Sequence, residues 1–154
     1  MANNKINILY VDDELNNLIS FKAAFRIKYN ILTAISAEEA KKILRTNTVN
    51  IIITDQRMPQ MTGVEFLESI LEEFPDPMRL LLTGYTDMNA VIDAINKGKV
   101  FHYLTKPWNE DELDMAINRA YDVYNQKMEE KELNSKLTLS NEQLEFLLRQ
   151  KLLS

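Results

Sequence analysis

Apolar and polar positions follow two alternating patterns along the first 124 residues. Short apolar runs, several of them rich in β-branched residues, predict β-strands. These runs cover residues 5–11, 30–34, 49–54, 78–83 and 100–105. Between and after them, apolar residues at helical spacing predict helices. The predicted helices cover residues 15–28, 36–45, 63–74 and 86–97 and a long final segment that begins near Asn109.

Residues typical of helix ends mark several of these boundaries. Ser36, followed three positions later by Glu39, has the spacing of a capping box. Thr86-Asp87 and Asn109 are the predicted caps of the fourth and last helices. Gly98 is a natural stop for the fourth helix, because glycine accepts the left-handed conformation that often ends a helix.

The order of the elements restricts the fold. Five strands alternate with five helices, and the connections between them are short, which favours a parallel sheet covered by helices on both faces. Because crossover connections are right-handed, few topologies remain. We therefore predict an α/β, doubly wound, flavodoxin-like fold with strand order 2-1-3-4-5, in which the first and third strands are neighbours.

Three acidic residues follow these two neighbouring strands. Asp12 and Asp13 come directly after the first strand, and Asp55 comes after the third. Ligands of open α/β sheets bind at the carboxyl ends of the strands, so we expect the three carboxylates to converge there. Carboxylates that lie close together raise one another's pKa, and a hard cation such as Mg²⁺ offsets their charge. Any one of them alone could be a helix cap or a turn residue.

Two further polar residues end strands at the same predicted edge. Thr83 ends the fourth strand, and Lys106 follows the fifth. A metal ion, an ammonium group, a hydroxyl and a nucleophilic carboxylate are the parts of a phosphoryl-transfer site. Asp55 would be the nucleophile that forms an acyl phosphate. Taken singly, Thr83 could be a turn hydroxyl and Lys106 a solvated amine.

These residues resemble the receiver domain of two-component response regulators. The resemblance covers about residues 4–122 and rests on four short motifs. The motifs are Val11-Asp12-Asp13-Glu14, Asp55 with Met58-Pro59 and Gly63, Thr83-Gly84, and Lys106-Pro107. The resemblance implies a signalling switch, not an enzyme in the ordinary sense, that catalyses only its own phosphorylation and dephosphorylation. Its partner would be a sensor histidine kinase or a phosphotransfer protein.

The resemblance also implies a role for each residue of the site. Asp55 would be the phospho-acceptor, assisted by Lys106 and Thr83. The Mg²⁺ ligands would be Asp12, Asp13, Asp55 and the backbone carbonyl of Arg57. Thr83 would be the switch hydroxyl and Tyr103 the switch aromatic. Arg57 and Tyr85 would tune the phosphate lifetime. The peptide before Pro107 would be cis. The surface that shifts on phosphorylation and is read by a partner would consist of the fourth helix, the fifth strand and the start of the last helix.

Composition restricts the partners and the compartment. The chain has no cysteine, and its net charge of −5 comes without a basic cluster, which argues against direct nucleic-acid binding. No segment approaches the ~20 apolar residues of a membrane span, and the first residues lack the apolar core of a signal peptide. We expect a cytoplasmic protein that does not contact the membrane.

The segment after Asn109 contains neither proline nor glycine and predicts one long helix. We expect residues 1–124 to form the receiver domain and residues 125–154 to form a helical extension. Its apolar stripe is broken and is not a clean heptad pattern. The stripe consists of Met128, Leu133, Leu137, Leu144, Leu147 and Leu148. The extension could be a homodimeric coiled coil, a partner-binding helix or a solvated tail.

Two alternatives to the switch remain open from the sequence. The chain could be the input module of a larger output enzyme, such as a cyclic-dinucleotide cyclase, a phosphodiesterase or a phosphatase. It could also be an interaction scaffold that keeps the fold without using the phosphate, although the complete set of acids with Thr83 and Lys106 argues against a scaffold.

Overall fold

The computed structural model describes residues 5–84 and 88–153. A five-stranded parallel sheet with strand order β2-β1-β3-β4-β5 lies at its centre. The strands are β1 (Asn7–Val11), β2 (Asn30–Ala34), β3 (Ile51–Asp55), β4 (Met78–Thr83) and β5 (His102–Thr105). The helices are α1 (Leu15–Phe25), α2 (Ala37–Thr46), α3 (Gly63–Ile70), α4 (Met88–Asn96) and α5 (Glu110–Leu153). The predicted flavodoxin-like fold is confirmed.

The sheet divides the core into two apolar layers. Ile51 and Ile53 of β3 pack with residues of α1 and α5 on one face of the sheet. Ile52 packs with residues of α2, α3 and α4 on the other face. All three isoleucines are fully buried. A strand buried on both faces needs apolar residues at consecutive positions, which explains the unbroken run of isoleucines.

Strand register determines where the acidic residues lie. Val11, the last residue of β1, is paired with Thr54 of β3. Asp12 therefore follows β1 at the level of Asp55. The third strand ends one residue later than the sequence pattern predicted, because Asp55 is still paired with Leu82 of β4.

The helix ends differ in detail from the predictions. The Ser36 hydroxyl accepts a hydrogen bond from the backbone N–H of Glu39, at 3.1 Å, at the start of α2. A reciprocal capping box lies at α3, where Thr62 and Glu65 each bond the other's backbone N–H. Helix α1 ends at Phe25 and α3 at Ile70, earlier than their apolar patterns suggested. The predicted cap Thr86-Asp87 lies outside the described residues.

Helix α5 is much longer than the other helices. It has 44 residues, which corresponds to a length of ~66 Å. Its buried residues lie between Leu113 and Ala120, and from Glu129 onward every described residue is exposed. Where the helix leaves the sheet, Lys131 forms an ion pair with Asp76, at 3.1 Å, in the loop before β4. The prediction of one continuous final helix is confirmed.

Within residues 5–84 and 88–153, every helix is too short or too polar to cross a membrane.

Candidate functional site

Three carboxylates meet at the carboxyl edge of the sheet. Asp12 follows β1, Asp13 is the next residue, and Asp55 ends β3. One oxygen of each side chain lies within 4.8 Å of the others. Asp12 is fully buried, Asp55 is only 4% exposed, and Asp13 is partly exposed at the rim. The predicted convergence of the three acids is therefore present in the structure.

Three hydrogen-bond donors from the described residues hold Asp12. Its Oδ1 accepts from the backbone N–H of Glu14, at 3.0 Å. Its Oδ2 accepts from the hydroxyl of Tyr10, at 2.7 Å, and from Nδ2 of Asn17, at 3.1 Å. Burial, followed by the charge of Asp12 and the hydrogen bond to it, raises the pKa of Tyr10 far above its ordinary value. The phenol therefore remains protonated and acts as the donor.

Lys106 and Asp55 form an ion pair across the end of β4. The Nζ atom of Lys106 contacts Oδ1 of Asp55, although β3 and β5 are not adjacent strands. The backbone N–H of Lys106 donates to the carbonyl of Thr83, at 2.9 Å, which holds the start of the turn against β4. The Lys106-Pro107 peptide is cis.

Opposing influences act on the acidity of Asp55. Burial raises the pKa of Asp55 and is the largest cause. The hydrogen bond and the charge of Lys106 lower it, and the charges of Asp12 and Asp13 raise it. The net result is a raised pKa, because desolvation and like charges outweigh one neighbouring cation. This is the electrostatic environment in which an added cation would bind favourably.

The two residues with a predicted switching role lie on adjacent strands. Thr83 is fully buried at the end of β4, and its hydroxyl donates to the carbonyl of Gly84 at 3.0 Å. Tyr103 is paired with Leu81 in the β4–β5 register and is partly buried against the layer formed with α2, α3 and α4. Tyr85, predicted to tune the phosphate lifetime, lies outside the described residues.

Gln56 closes the loop that follows Asp55. The residue is only 4% exposed. Its backbone N–H donates to Leu82, its carbonyl accepts from the N–H of Gly63 at 2.9 Å, and its Oε1 accepts from the N–H of Val64 at 3.0 Å. These bonds fix the start of α3 beside Asp55. Arg57 is exposed in this loop, and its carbonyl remains a predicted ligand.

Sequence reasoning did not find Tyr10 or Gln56. A signal for Tyr10 was available, because residues two apart on a strand point to the same side and Tyr10 precedes Asp12 by two. No comparable signal existed for Gln56, since a glutamine in a loop is ordinarily exposed.

The fold and this edge of the sheet define a class of signalling protein. The sequence model of the response regulator receiver domain matches residues 8–118, which is more than half of the chain. The chain belongs to the response regulator receiver domain family.

Individual relatives include regulators of transcription. The hydrogenase transcriptional regulatory protein HoxA of Cupriavidus necator is 34% identical over 123 residues, which is 80% of this chain and 26% of HoxA. The transcriptional regulatory protein ZraR of Escherichia coli is 29% identical over 121 residues, which is 78% of this chain and 27% of ZraR. The chain spans about a quarter of the length of these curated relatives.

Solved structures of other proteins share this fold. A receiver domain protein of Clostridium thermocellum is 33% identical, with a TM-score of 0.74, and the match covers 79% of this chain and 98% of that one. An adenylate cyclase of Rhodopirellula baltica is 31% identical, with a TM-score of 0.83, over 86% of this chain and 98% of that one.

Proposed function

We propose that this chain is a phospho-accepting switch in which Asp55 receives a phosphoryl group from a sensor histidine kinase or a phosphotransfer protein. The observation that carries the proposal is the meeting of three carboxylates with Lys106 already paired to Asp55. The same set of residues does not favour an interaction scaffold without phosphorylation, because a scaffold would have no use for buried acids whose mutual repulsion is costly.

The acids at this edge fit a magnesium ion. Carboxylate and carbonyl oxygens are the ligands that Mg²⁺ prefers, and it usually keeps several waters besides one or two carboxylates. Asp12, Asp13, Asp55 and the carbonyl of Arg57 would hold the ion, with Asp12 and Asp13 binding directly or through water. When bound, the ion supplies positive charge that offsets the repulsion between the acids and the incoming phosphoryl oxygens.

The residues of the site would divide the chemistry as follows. An oxygen of the Asp55 carboxylate attacks the phosphorus atom of the phosphohistidine. An oxygen–phosphorus bond forms and the phosphorus–nitrogen bond breaks. The imidazole nitrogen leaves with the electron pair of that bond and takes up a proton. Lys106, which neutralises Asp55 before the reaction, then pairs with a phosphoryl oxygen. Hydrolysis of the acyl phosphate by water returns Asp55 to its starting state.

The response to phosphorylation would be a population shift between two arrangements of the receiver. The Thr83 hydroxyl, which bonds the Gly84 carbonyl in this structure, would turn to donate to a phosphoryl oxygen. Tyr103 would rotate inward into the space that Thr83 vacates. These contacts favour the active arrangement because they form there and are absent from the inactive arrangement. The surface that changes would comprise α4, β5 and the first part of α5.

Chemical mapping of the phosphoryl group tests this proposal. The wild-type chain is incubated with acetyl phosphate and Mg²⁺, and the acyl phosphate is trapped by borohydride reduction and located by peptide mass spectrometry. We expect modification of Asp55 and its loss when EDTA replaces Mg²⁺. Modification of a different acid, or equal modification in EDTA, would contradict the proposal.

We also propose that residues 125–154 form an extension through which two copies of the chain associate. Four leucines, each more than half exposed, form a row separated by four or seven residues. They are Leu133, Leu137, Leu144 and Leu148. At 100° per residue this row lies nearly opposite Ile117, which packs on the sheet. A second copy could therefore approach the row without meeting the receiver from which the helix extends.

Substitutions on two sides of the extension test the dimer. We expect the wild-type chain to sediment as a dimer and Leu137→Glu with Leu144→Glu to sediment as a monomer, because charge at these positions opposes burial of the row. The matched control is Leu139→Glu with Phe146→Glu, on the opposite side of the same helix, which should leave the dimer intact. A monomeric wild-type chain, or equal loss in both variants, would refute this interface.

A further inference from the structure

Tyr10 connects the acidic edge to the aromatic core. Its side chain is buried in the layer formed with α1 and α5, and its ring stacks on Phe21 with centroids 4.2 Å apart and an interplanar angle of 19°. Only the hydroxyl reaches the site, where it donates to Oδ2 of Asp12 at 2.7 Å. A ring held this firmly gives its hydroxyl a fixed position, because moving the hydroxyl would require repacking of the core.

The hydrogen bonds of Asp12 leave it little freedom. An ionised carboxylate offers about four lone-pair sites. Tyr10 and Asn17 occupy both sites of Oδ2, and the backbone N–H of Glu14 occupies one site of Oδ1. Counting the donors of residues 5–84 and 88–153, one site on Oδ1 remains. Asp12 is therefore expected to reach an ion, or a water bound to it, through this site on Oδ1.

We propose that Tyr10 is a positioning residue for the metal site, which holds Asp12 so that its Oδ1 alone faces the ion. The inference rests on the proposed function, because it requires that the three acids bind a divalent cation. It adds a residue outside the acidic cluster to the site. Hydrogen bonds that orient a metal ligand commonly change metal affinity 10–100-fold when they are removed.

The substitution Tyr10→Phe tests the inference, since it keeps the stacked ring and removes only the hydroxyl. We expect calorimetric titration of the full chain with MgCl₂ to give a dissociation constant about tenfold higher than that of the wild type. Thermal unfolding in EDTA, recorded alongside, separates a change at the metal site from a general loss of stability.

The chain provides a matched control in Tyr29→Phe. The Tyr29 hydroxyl also donates to an aspartate, Asp114, and the Tyr29 ring also packs beside a phenylalanine, Phe25, but this pair lies away from the acidic edge. Tyr29→Phe should lower the unfolding temperature and leave the Mg²⁺ affinity unchanged. A second variant, Asn17→Ala, removes the other donor to Oδ2 and should weaken Mg²⁺ binding in the same direction, even if Tyr10→Phe folds poorly.

The outcomes separate this inference from the function on which it rests. Wild-type protein that binds no Mg²⁺ would overturn both. Wild-type protein that binds Mg²⁺, with Tyr10→Phe and Asn17→Ala both within about twofold of it, would overturn only the role of Tyr10. Equal weakening by Tyr29→Phe would also overturn it, because the effect would then reflect stability and not the position of Asp12.

Discussion

Asp55→Asn is expected to reduce phosphoryl uptake from acetyl phosphate in the presence of Mg²⁺ at least ~100-fold. The amide is a poor nucleophile and cannot form the acyl phosphate, and removal of a nucleophile usually leaves only a small residual rate. The substitution is nearly isosteric, so the 4% exposed side chain still fits its site. Uptake is measured with labelled acetyl phosphate or by the mass of the intact chain.

The matched control for this prediction is Asp76→Asn. Asp76 is a partly exposed acid paired with Lys131 in the loop before β4, at the opposite edge of the sheet. The Asp76→Asn variant should take up label as the wild type does. If Asp55→Asn and the wild type were labelled equally, Asp55 could not be the acceptor, whatever its surroundings.

Asp55→Asn should also change the dependence of stability on pH. The pKa of Asp55 is raised in the folded protein, chiefly by burial. The folded state therefore binds the proton more tightly than the unfolded state, whose Asp pKa is about 3.9. The free energy of unfolding consequently falls as the pH rises from that value through the folded pKa. Asp55→Asn should unfold at a higher temperature than the wild type at neutral pH in EDTA, and the gain should disappear below about pH 3.9. An equal difference at both pH values would contradict this assignment.

Gly63→Ala is expected to lower the free energy of unfolding by about 2–3 kcal/mol, which is the upper part of the range for overpacking. A Cβ atom at Gly63 would lie 2.4 Å from the carbonyl oxygen of Asp55 and 2.7 Å from Cδ1 of Leu81. The oxygen belongs to the backbone of β3 and cannot move without disturbing the sheet. Helix α3 must therefore shift away from Asp55. Chemical denaturation of the two proteins gives the difference.

Gly84→Ala serves as the control for Gly63→Ala. Within the described part of the chain, no heavy atom would lie within 4 Å of a Cβ atom at Gly84, and this glycine does not have a positive φ. Its substitution should change the free energy of unfolding by no more than about 0.5 kcal/mol. If the two alanine variants were equally stable, close approach of α3 to Asp55 would not be the reason for glycine at position 63.

Asp55→Asn and Gly63→Ala test different parts of the same site. Asp55→Asn removes the reactive group and leaves its surroundings in place. Gly63→Ala leaves the reactive group and displaces the helix that begins beside it. The backbone N–H of Gly63 donates to Gln56, so displacement of α3 also loosens the loop that carries Arg57. We therefore expect Gly63→Ala to slow phosphorylation as well as to destabilise the fold.

Much of the fold could be predicted because the pattern of apolar residues was unambiguous. The run Ile51-Ile52-Ile53 could satisfy both faces of a parallel sheet, and the alternation with helical segments left few topologies. The second and fourth strands were predicted to the residue. Helix ends were less predictable, since the apolar spacing of α1 and α3 continues into turns that belong to neither helix.

Site residues could be predicted when a chemically suitable residue stood at the end of a predicted strand. Asp12, Asp13, Asp55, Thr83 and Lys106 each follow or end a strand, so the topology alone brought them to one edge. Tyr10 was missed although its position two residues before Asp12 was an available signal, and Gln56 was missed because a glutamine in a loop is ordinarily exposed, whereas this one is buried. Gly63 could be recognised as part of a motif, but the close contact with the Asp55 carbonyl that requires glycine there is not visible in the sequence.

The amino-acid sequence by itself determined which residues form strands, the order of those strands, and therefore which chemical groups share the carboxyl edge. The tertiary structure decided how those groups are oriented and what holds them. Lys106 contacts Asp55 across β4, Tyr10 holds Asp12 from the core, and α3 approaches Asp55 so closely that only glycine fits. The reason is that periodicity specifies which side of an element a residue lies on, whereas hydrogen bonds and close contacts depend on distances of a few tenths of an ångström, and only the packing of all the elements together sets them.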